Sequence, residues 1–118
     1  AIAVIDTARA VVTSRIELPG EKSKPMGLVL SLDDRTLFVT TGRGGQLAAI
    51  DTATNQVTQQ VSVGERPWGV ALSPDGKTLF TANGPGDNVT AISTDQDLKT
   101  VKQLPVSGRP WGIAIRTM

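Results

Sequence analysis

The segment Pro67-Trp68-Gly69-Val70-Ala71-Leu72-Ser73-Pro74-Asp75-Gly76-Lys77 decides the fold, because parts of it recur earlier and later in the chain. Pro25-Met26-Gly27 precedes it and Pro110-Trp111-Gly112 follows it, so the triplet recurs about every 42 residues. The turn residues recur in step, since Ser31-Leu32-Asp33-Asp34-Arg35 corresponds to Ser73 to Lys77. A fixed period of this length, with turn residues at a fixed phase, indicates a repeat architecture.

One repeat contains alternating strands and tight turns. Between Trp68 and Leu72 large and small residues alternate, and period-two alternation predicts a strand. Both of its faces are apolar, so both are expected to be buried, with Gly69 and Ala71 beneath a close neighbour. Pro74-Asp75-Gly76 is typical of a tight turn, because proline presets φ and glycine tolerates positive φ.

The pattern predicts an all-β fold built from β-propeller blades of four antiparallel strands, as a partial propeller of about 11 strands. Residues 1–24 are expected to hold strands three and four of an incomplete blade. Residues 25–66 and 67–109 each form one blade, and residues 110–118 supply the inner strand of a further, ring-closing blade, with the strand at Trp111 to Ile115. This register suggests a chain that starts in the middle of a blade and ends naturally at Met118.

The composition excludes several kinds of chemistry within these residues. The chain has 118 residues, a formal net charge of +1, and neither cysteine nor histidine. Thiol nucleophiles, disulfides and histidine-based acids, bases or metal ligands are therefore excluded within the chain. The scattered basic residues give no case for nucleic acid, and no apolar run approaches the roughly 20 residues that span a bilayer.

Several segments together resemble one repeat family. Leu37-Phe38-Val39-Thr40-Thr41 and Leu79-Phe80-Thr81-Ala82-Asn83 resemble the signature of the YVTN-type β-propeller repeat. Ile50-Asp51-Thr52-Ala53-Thr54-Asn55 and the segment from Pro67 to Lys77 resemble its flanks. Phe38 and Phe80 stand where the family prefers tyrosine, and Asp33-Asp34 replaces its Pro-Asp-Gly turn.

The resemblance implies a seven-bladed, exported bacterial or archaeal protein, located in the periplasm or outside the cell. Such repeats occur in surface-layer-associated proteins, beside quinoprotein dehydrogenases and in relatives of the haem d1 propeller of nitrite reductases. Some lactone-hydrolysing propellers look similar. A shared fold does not choose among these functions.

The most attractive candidate site consists of Arg66, Trp68, Arg109 and Trp111. The link from an outer strand to the next inner strand crosses one face of a propeller, so these residues could surround the mouth of the channel. Arginine offers bidentate hydrogen bonds and tryptophan a stacking face, which suits a small anionic or planar ligand. Packing between blades is the alternative for the tryptophans, because Met26 occupies the same repeat position and Lys24 replaces the arginine there.

The remaining polar residues have structural interpretations. Asp6 and Asp51 end third strands, where such residues usually cap turns, and Asp33, Asp34, Asp75 and Asp87 lie in turns. The loop from Gly42 to Gly45 is predicted as a hairpin loop rather than a phosphate site, because no helix follows it. Asn88-Val89-Thr90 fits the glycosylation sequon by chance. We expect no catalytic residue, no metal site and no cofactor within the chain.

Three functional interpretations remain open. The first is a non-catalytic, exported scaffold that binds a protein or a small anion. The second is part of a redox or lactonase-like propeller whose catalytic groups lie in blades outside this chain. The third is a small subunit that completes a ring by association. Each requires partner blades, from the same parent chain or from another subunit, to cover exposed strand edges.

Overall fold

The computed structural model describes residues 1–117, and its strands form three antiparallel sheets. The first sheet has two strands, β1 (Ile2–Asp6) and β2 (Val11–Ile16). The second and third sheets have four strands each, in the order β3-β4-β5-β6 and β7-β8-β9-β10. The predicted all-β architecture of four-stranded propeller blades is confirmed.

The second sheet consists of β3 (Leu28–Leu30), β4 (Thr36–Thr40), β5 (Gln46–Asp51) and β6 (Gln56–Ser62). The third consists of β7 (Pro67–Leu72), β8 (Thr78–Asn83), β9 (Asn88–Ser93) and β10 (Lys99–Pro105). A short 3-10 turn, Gly42–Gly44, lies in the hairpin between β4 and β5, as the sequence predicted for this loop. Among residues 1–117, no helix is long and apolar enough to cross a membrane.

Neighbouring blades pack through two apolar clusters. One joins the second and third sheets through Phe38, Leu47, Val63, Leu79 and Ile92, all of which are buried. The other joins the first and second sheets through Ile2, Ile16, Val39 and Ile50. Burial of these side chains is the main stabilising contribution, at about 25 cal/mol for each Å² of apolar surface.

Glycine lets the inner strands approach each other closely. A Cβ atom on Gly27 would lie 2.5 Å from the carbonyl oxygen of Trp68, in the next blade. The equivalent Cβ on Gly69 would lie 2.7 Å from the carbonyl oxygen of Trp111. The predicted close neighbour of Gly69 is therefore the backbone at Trp111, and the same contact recurs one repeat earlier.

The predicted eleventh strand is not formed within the described residues. The segment from Trp111 to Ile115 lies beside β7 but has no strand assignment, and only ten strands are formed within residues 1–117. An inner strand pairs with the second strand of its own blade, and none of the described strands fills that place. Met118, the last residue of the predicted segment 110–118, lies outside the described residues.

Candidate functional site

Two kinds of loop meet at one end of the blades. Linker loops run from the last strand of one blade to the first strand of the next, and hairpin loops join the two middle strands. The backbone N–H of Lys24, in a linker loop, donates to the carbonyl oxygen of Thr41 in a hairpin loop at 2.8 Å. The backbone N–H of Arg109 donates to Oδ1 of Asp87 in the same way at 3.0 Å. We call this the linker-loop end.

At this end a large side chain lies over a glycine in each complete blade. A Cβ atom on Gly84 would overlap the six-membered ring of Trp68, and one on Gly42 would lie 3.0 Å from Cγ of Met26. Trp68 leaves the regular alternation of β7 because the register shifts between Pro67 and Gly69. The repeat position of Trp68 and Met26 is thus a covering position over the hairpin loop of its own blade.

The two predicted tryptophans lie side by side. Their ring centroids are 4.7 Å apart at an interplanar angle of 64°, an edge-to-face arrangement. Trp68 is half-buried, whereas 72% of Trp111 is exposed. The exposed indole has the repeat position that covers a hairpin loop, and residues 1–117 contain no hairpin loop of its own blade.

The two predicted arginines share an unusual backbone conformation. Arg66 has a φ of 48° and Arg109 a φ of 56°, both in the left-handed region that non-glycine residues rarely occupy. Each precedes a proline, and Lys24 at the same repeat position does not have a positive φ. Both arginines are exposed, and neither forms an ion pair within the described chain. The structure therefore places all four predicted residues at one end of the molecule.

Charge is distributed unequally between the two ends. The linker-loop end carries five basic and four acidic residues: Lys22, Lys24, Arg43, Arg66, Arg109, Glu17, Glu21, Glu65 and Asp87. The opposite end carries five basic and seven acidic residues: Arg9, Arg35, Lys77, Lys99, Arg116, Asp6, Asp33, Asp34, Asp51, Asp75, Asp95 and Asp97. An anion is therefore attracted to the linker-loop end.

A cleft of about 410 Å³ also opens at the linker-loop end. Its lining includes Lys22 and Ser23 from a linker loop, and Arg43 and Gln46 around a hairpin loop. A second cleft, of about 420 Å³, lies at the acidic end between Arg35 and Asp51. Neither of these two clefts is lined by the tryptophan pair.

The aspartates at the acidic end cap turns, as predicted. Oδ1 of Asp6 accepts from the backbone N–H groups of Ala8 and Arg9, and Oδ1 of Asp51 accepts from that of Ala53 at 2.8 Å. The bonds from Arg9, first through its backbone and then through its side chain, lower the pKa of Asp6 below 3.8. Among the described residues, no group of acids has the geometry to hold a metal ion.

Asp33 and Asp75 repeat one turn structure. The hydroxyl of Ser31 donates to Asp33 at 2.7 Å, and that of Ser73 donates to Asp75 at 2.6 Å. These hydroxyl bonds, followed by the backbone N–H two residues later, lower the pKa of both carboxyl groups below 3.8. The sequence predicted the turns but not this serine-aspartate pair.

Sequence analysis also missed a buried polar group beneath the linker-loop end. Asn83, Thr90 and Gln103 converge on the carbonyl oxygen of Val63, at the start of a linker loop. The sequence feature that could have revealed this group is a departure from the repeat. Asn83 and Thr90 stand where the preceding blade has Thr41 and Ala48.

Comparison with known proteins agrees with this architecture. A family model described as "Lactonase, 7-bladed beta-propeller" matches residues 3–109. No curated protein sequence matches the chain.

Solved structures give the same fold. Hydrazine synthase of Kuenenia stuttgartiensis is 27% identical over 80% of this chain and 27% of its own, with a TM-score of 0.73. The periplasmic gluconolactonase PpgL of Pseudomonas aeruginosa is 30% identical over 81% of this chain and 30% of its own, with a TM-score of 0.65. A functionally unknown protein from Desulfotomaculum acetoxidans has a TM-score of 0.78 over 95% of this chain and 37% of its own; at 17% identity it shows the fold alone. The chain thus spans between 27% and 37% of the length of these proteins.

Proposed function

Because the chain belongs to the seven-bladed β-propeller lactonase family, we propose that it contributes two complete blades and part of a third to a lactone-hydrolysing propeller. The family match over residues 3–109 is the observation that carries this proposal. The remaining blades are its partners, as expected for a chain that spans 30% of the gluconolactonase it resembles.

The proposed site lies at the linker-loop end. Hydrolysis of a lactone places negative charge on the carbonyl oxygen in the transition state and leaves a carboxylate in the product. Fixed cationic donors stabilise both species, and a guanidinium binds a carboxylate through two parallel hydrogen bonds. Arg66 and Arg109 are suited to this role because they are exposed at the more basic end of the blades. The groups that activate the attacking water are proposed to lie in blades outside this chain.

The tryptophans are proposed to form one wall of the site. The exposed face of Trp111, buttressed by the edge-to-face contact with Trp68, can pack against the apolar face of a sugar-like ring. The related gluconolactonase is described as periplasmic, which supports an exported location for this protein as well.

The test is a panel of aldonolactones hydrolysed by the intact propeller that contains these blades, followed by acid release. We expect hydrolysis, and we expect Arg66→Ala and Arg109→Ala each to lower kcat/KM by about tenfold or more, because hydrogen bonds to a charged group contribute roughly 1.5–3 kcal/mol. Arg35→Ala, at the acidic end, is the matched control and should leave kcat/KM unchanged. Binding of a lactone or its carboxylate without turnover would favour the non-catalytic scaffold instead.

A further inference from the structure

The carbonyl oxygen of Val63 is a meeting point between two blades. Val63 follows β6, and its oxygen accepts from Oγ1 of Thr90 at 2.6 Å and from Nε2 of Gln103 at 2.9 Å. Both donors belong to the next blade. A carbonyl oxygen has two lone pairs, so these two bonds saturate it. Nδ2 of Asn83 adds a third, longer contact at 3.5 Å.

The other groups of Val63 are fixed as well. Its backbone N–H donates to the carbonyl oxygen of Gly45 at 3.0 Å. Its side chain is 1% exposed and packs with Leu47, Leu79 and Ile92 in the cluster between the blades. Val63, the first residue of this linker loop, is therefore fixed by its backbone N–H, its carbonyl oxygen and its side chain together. We call this set of contacts the anchor at Val63.

Asn83 connects this anchor to the rest of its blade. Its amide donates to Oγ1 of Thr90 at 2.8 Å and to Oδ1 of Asn88 at 2.9 Å, and its Oδ1 accepts from Oγ1 of Thr81 at 3.0 Å. Asn83 and Thr90 have no exposed surface. A buried polar network of this kind costs desolvation unless every member is paired, and when it is paired it fixes one geometry.

The preceding blade reaches the same fold without the network. Thr41 and Ala48 occupy the positions of Asn83 and Thr90 there, and Oγ1 of Thr41 donates to the carbonyl oxygen of Gln46 in its own blade. Thr41 is also buried and polar, but its hydroxyl bonds within its own blade, so the repeat does not require a hydrogen bond from these positions to the linker loop for folding. The presence of such bonds in one blade alone points to a local task.

The geometry indicates that the buried polar residues fix the position of the linker loop that carries Arg66. Gly64 lies against the Asn83 amide, since a Cβ there would be 2.8 Å from Nδ2. Pro67 is fully buried, so Arg66 lies between two fixed points only four residues apart, Val63 and Pro67, and keeps its left-handed backbone there. Arg109 has the same backbone conformation without such an anchor among the described residues, so the anchor at Val63 fixes the position of the Arg66 linker loop rather than its φ.

We propose that Asn83, Thr90 and Gln103 are positioning residues that anchor the linker loop at Val63 and thereby direct Arg66 toward a ligand at the linker-loop end. The ligand part of this inference rests on the proposed function. The anchor part does not, and the two can be tested separately.

The anchor is tested by amide hydrogen exchange on Thr90→Val in the intact protein. This change keeps the side-chain shape and removes the hydroxyl, so exchange at the Val63 amide, which donates to the carbonyl oxygen of Gly45, should accelerate about tenfold or more. Thr90→Ser restores the hydroxyl and should restore slow exchange. Thr94→Val removes an equivalent bond, from Oγ1 to the carbonyl oxygen of Gly76 at 2.7 Å, at the opposite end of the blade. It should leave exchange at the Val63 amide unchanged.

The ligand role is tested by KM for a hydrolysed lactone in Thr90→Val, Arg66→Ala and the double variant. We expect each single change to raise KM, and the double variant to be no worse than Arg66→Ala, because residues acting through one group are not additive. Unchanged exchange in Thr90→Val overturns the anchor. Faster exchange in Thr90→Val with an unchanged KM in both single variants keeps the anchor and overturns the role of Arg66. If the KM increases of the two single variants multiply in the double variant, Thr90 does not act through Arg66.

Discussion

At the scale of single residues, Gly84 has the least room for a side chain among the residues of the linker-loop end. A methyl group there would overlap the ring of Trp68. We expect Gly84→Ala to lower the free energy of unfolding by about 1–3 kcal/mol, the usual cost of overpacking. Urea unfolding of the intact propeller that contains these blades, followed by circular dichroism, measures this change.

Gly86→Ala, in the same hairpin loop, is the matched control for this substitution. A Cβ atom at Gly86 comes no closer than 3.3 Å to another atom, the Oδ1 of Asn88, so this variant should lower the free energy of unfolding much less. Equal stability of Gly84→Ala would mean that Trp68 can leave its position over the hairpin loop at little cost. In that case the covering position would not be a structural requirement.

The serine-aspartate turns give a pH dependence with a definite sign. The pKa of Asp75 is lower in the folded chain than its ordinary value of 3.8, because the Ser73 hydroxyl and the Lys77 backbone donate to the carboxylate. The resulting stabilisation is present above pH 3.8 and is lost as the pH falls through the folded pKa. Asp75→Asn should therefore have a lower Tm than the wild type at neutral pH, and the two Tm values should converge in acid.

Asp33→Asn offers a second copy of the same experiment. Its turn has the same hydroxyl and backbone donors, so it should show the same convergence. A Tm difference that stays constant from neutral pH down to about pH 2 would show that the carboxylate charge of these turns contributes nothing.

At the scale of elements, one threonine joins two inner strands. Oγ1 of Thr40 accepts from the backbone N–H of Gly27 at 2.8 Å and donates to the carbonyl oxygen of Trp68 at 2.9 Å. Thr40→Val leaves both backbone groups without this partner, so we expect a loss of about 1–3 kcal/mol in the free energy of unfolding. Thr13→Val, at an exposed threonine whose hydroxyl also donates to a carbonyl oxygen, should change it by less than about 0.5 kcal/mol.

The elements themselves were largely predictable from the sequence. Period-two alternation and Gly, Pro and Asp turns predicted four strands for each complete blade, and the strand predicted from Trp68 to Leu72 begins one residue earlier, at Pro67. The segment from Trp111 to Ile115 forms no strand in this chain, because strand formation depends on a pairing neighbour as well as on side-chain pattern. Trp68 was assigned to a regular face of β7, but the register shift at Pro67 redirects it.

The candidate site was predictable only in part. Arg66, Trp68, Arg109 and Trp111 were identified from the repeated triplet, and the structure places them at one end of the blades. The polar anchor at Val63 was missed because its donors are 20 to 40 residues away along the chain. An interaction of that range leaves no local pattern, and only the departure from the repeat at Thr90 marks it.

At the scale of the whole molecule, residues 1–118 expose apolar side chains that a complete ring would cover. Leu28 is 53% exposed and Leu30 45% exposed, and β1 pairs with β2 alone. Open strand edges and apolar patches favour association. We expect this chain, produced by itself, to self-associate with increasing concentration in light-scattering measurements. A monomer with one sharp, reversible unfolding transition would contradict this expectation.

The anchor at Val63 also makes the two complete blades distinguishable to their neighbours. Suppose that a gene rearrangement replaced residues 67–109 by a second copy of residues 25–66. Every strand and turn would return, but Thr41 and Ala48 would arrive where Asn83 and Thr90 had been, and the Val63 carbonyl oxygen would lose its hydroxyl donor. Blades that arose by copying are in this way committed to a particular order around the ring. The fold is compatible with a changed order of blades, whereas the polar contacts between blades form only between particular neighbours.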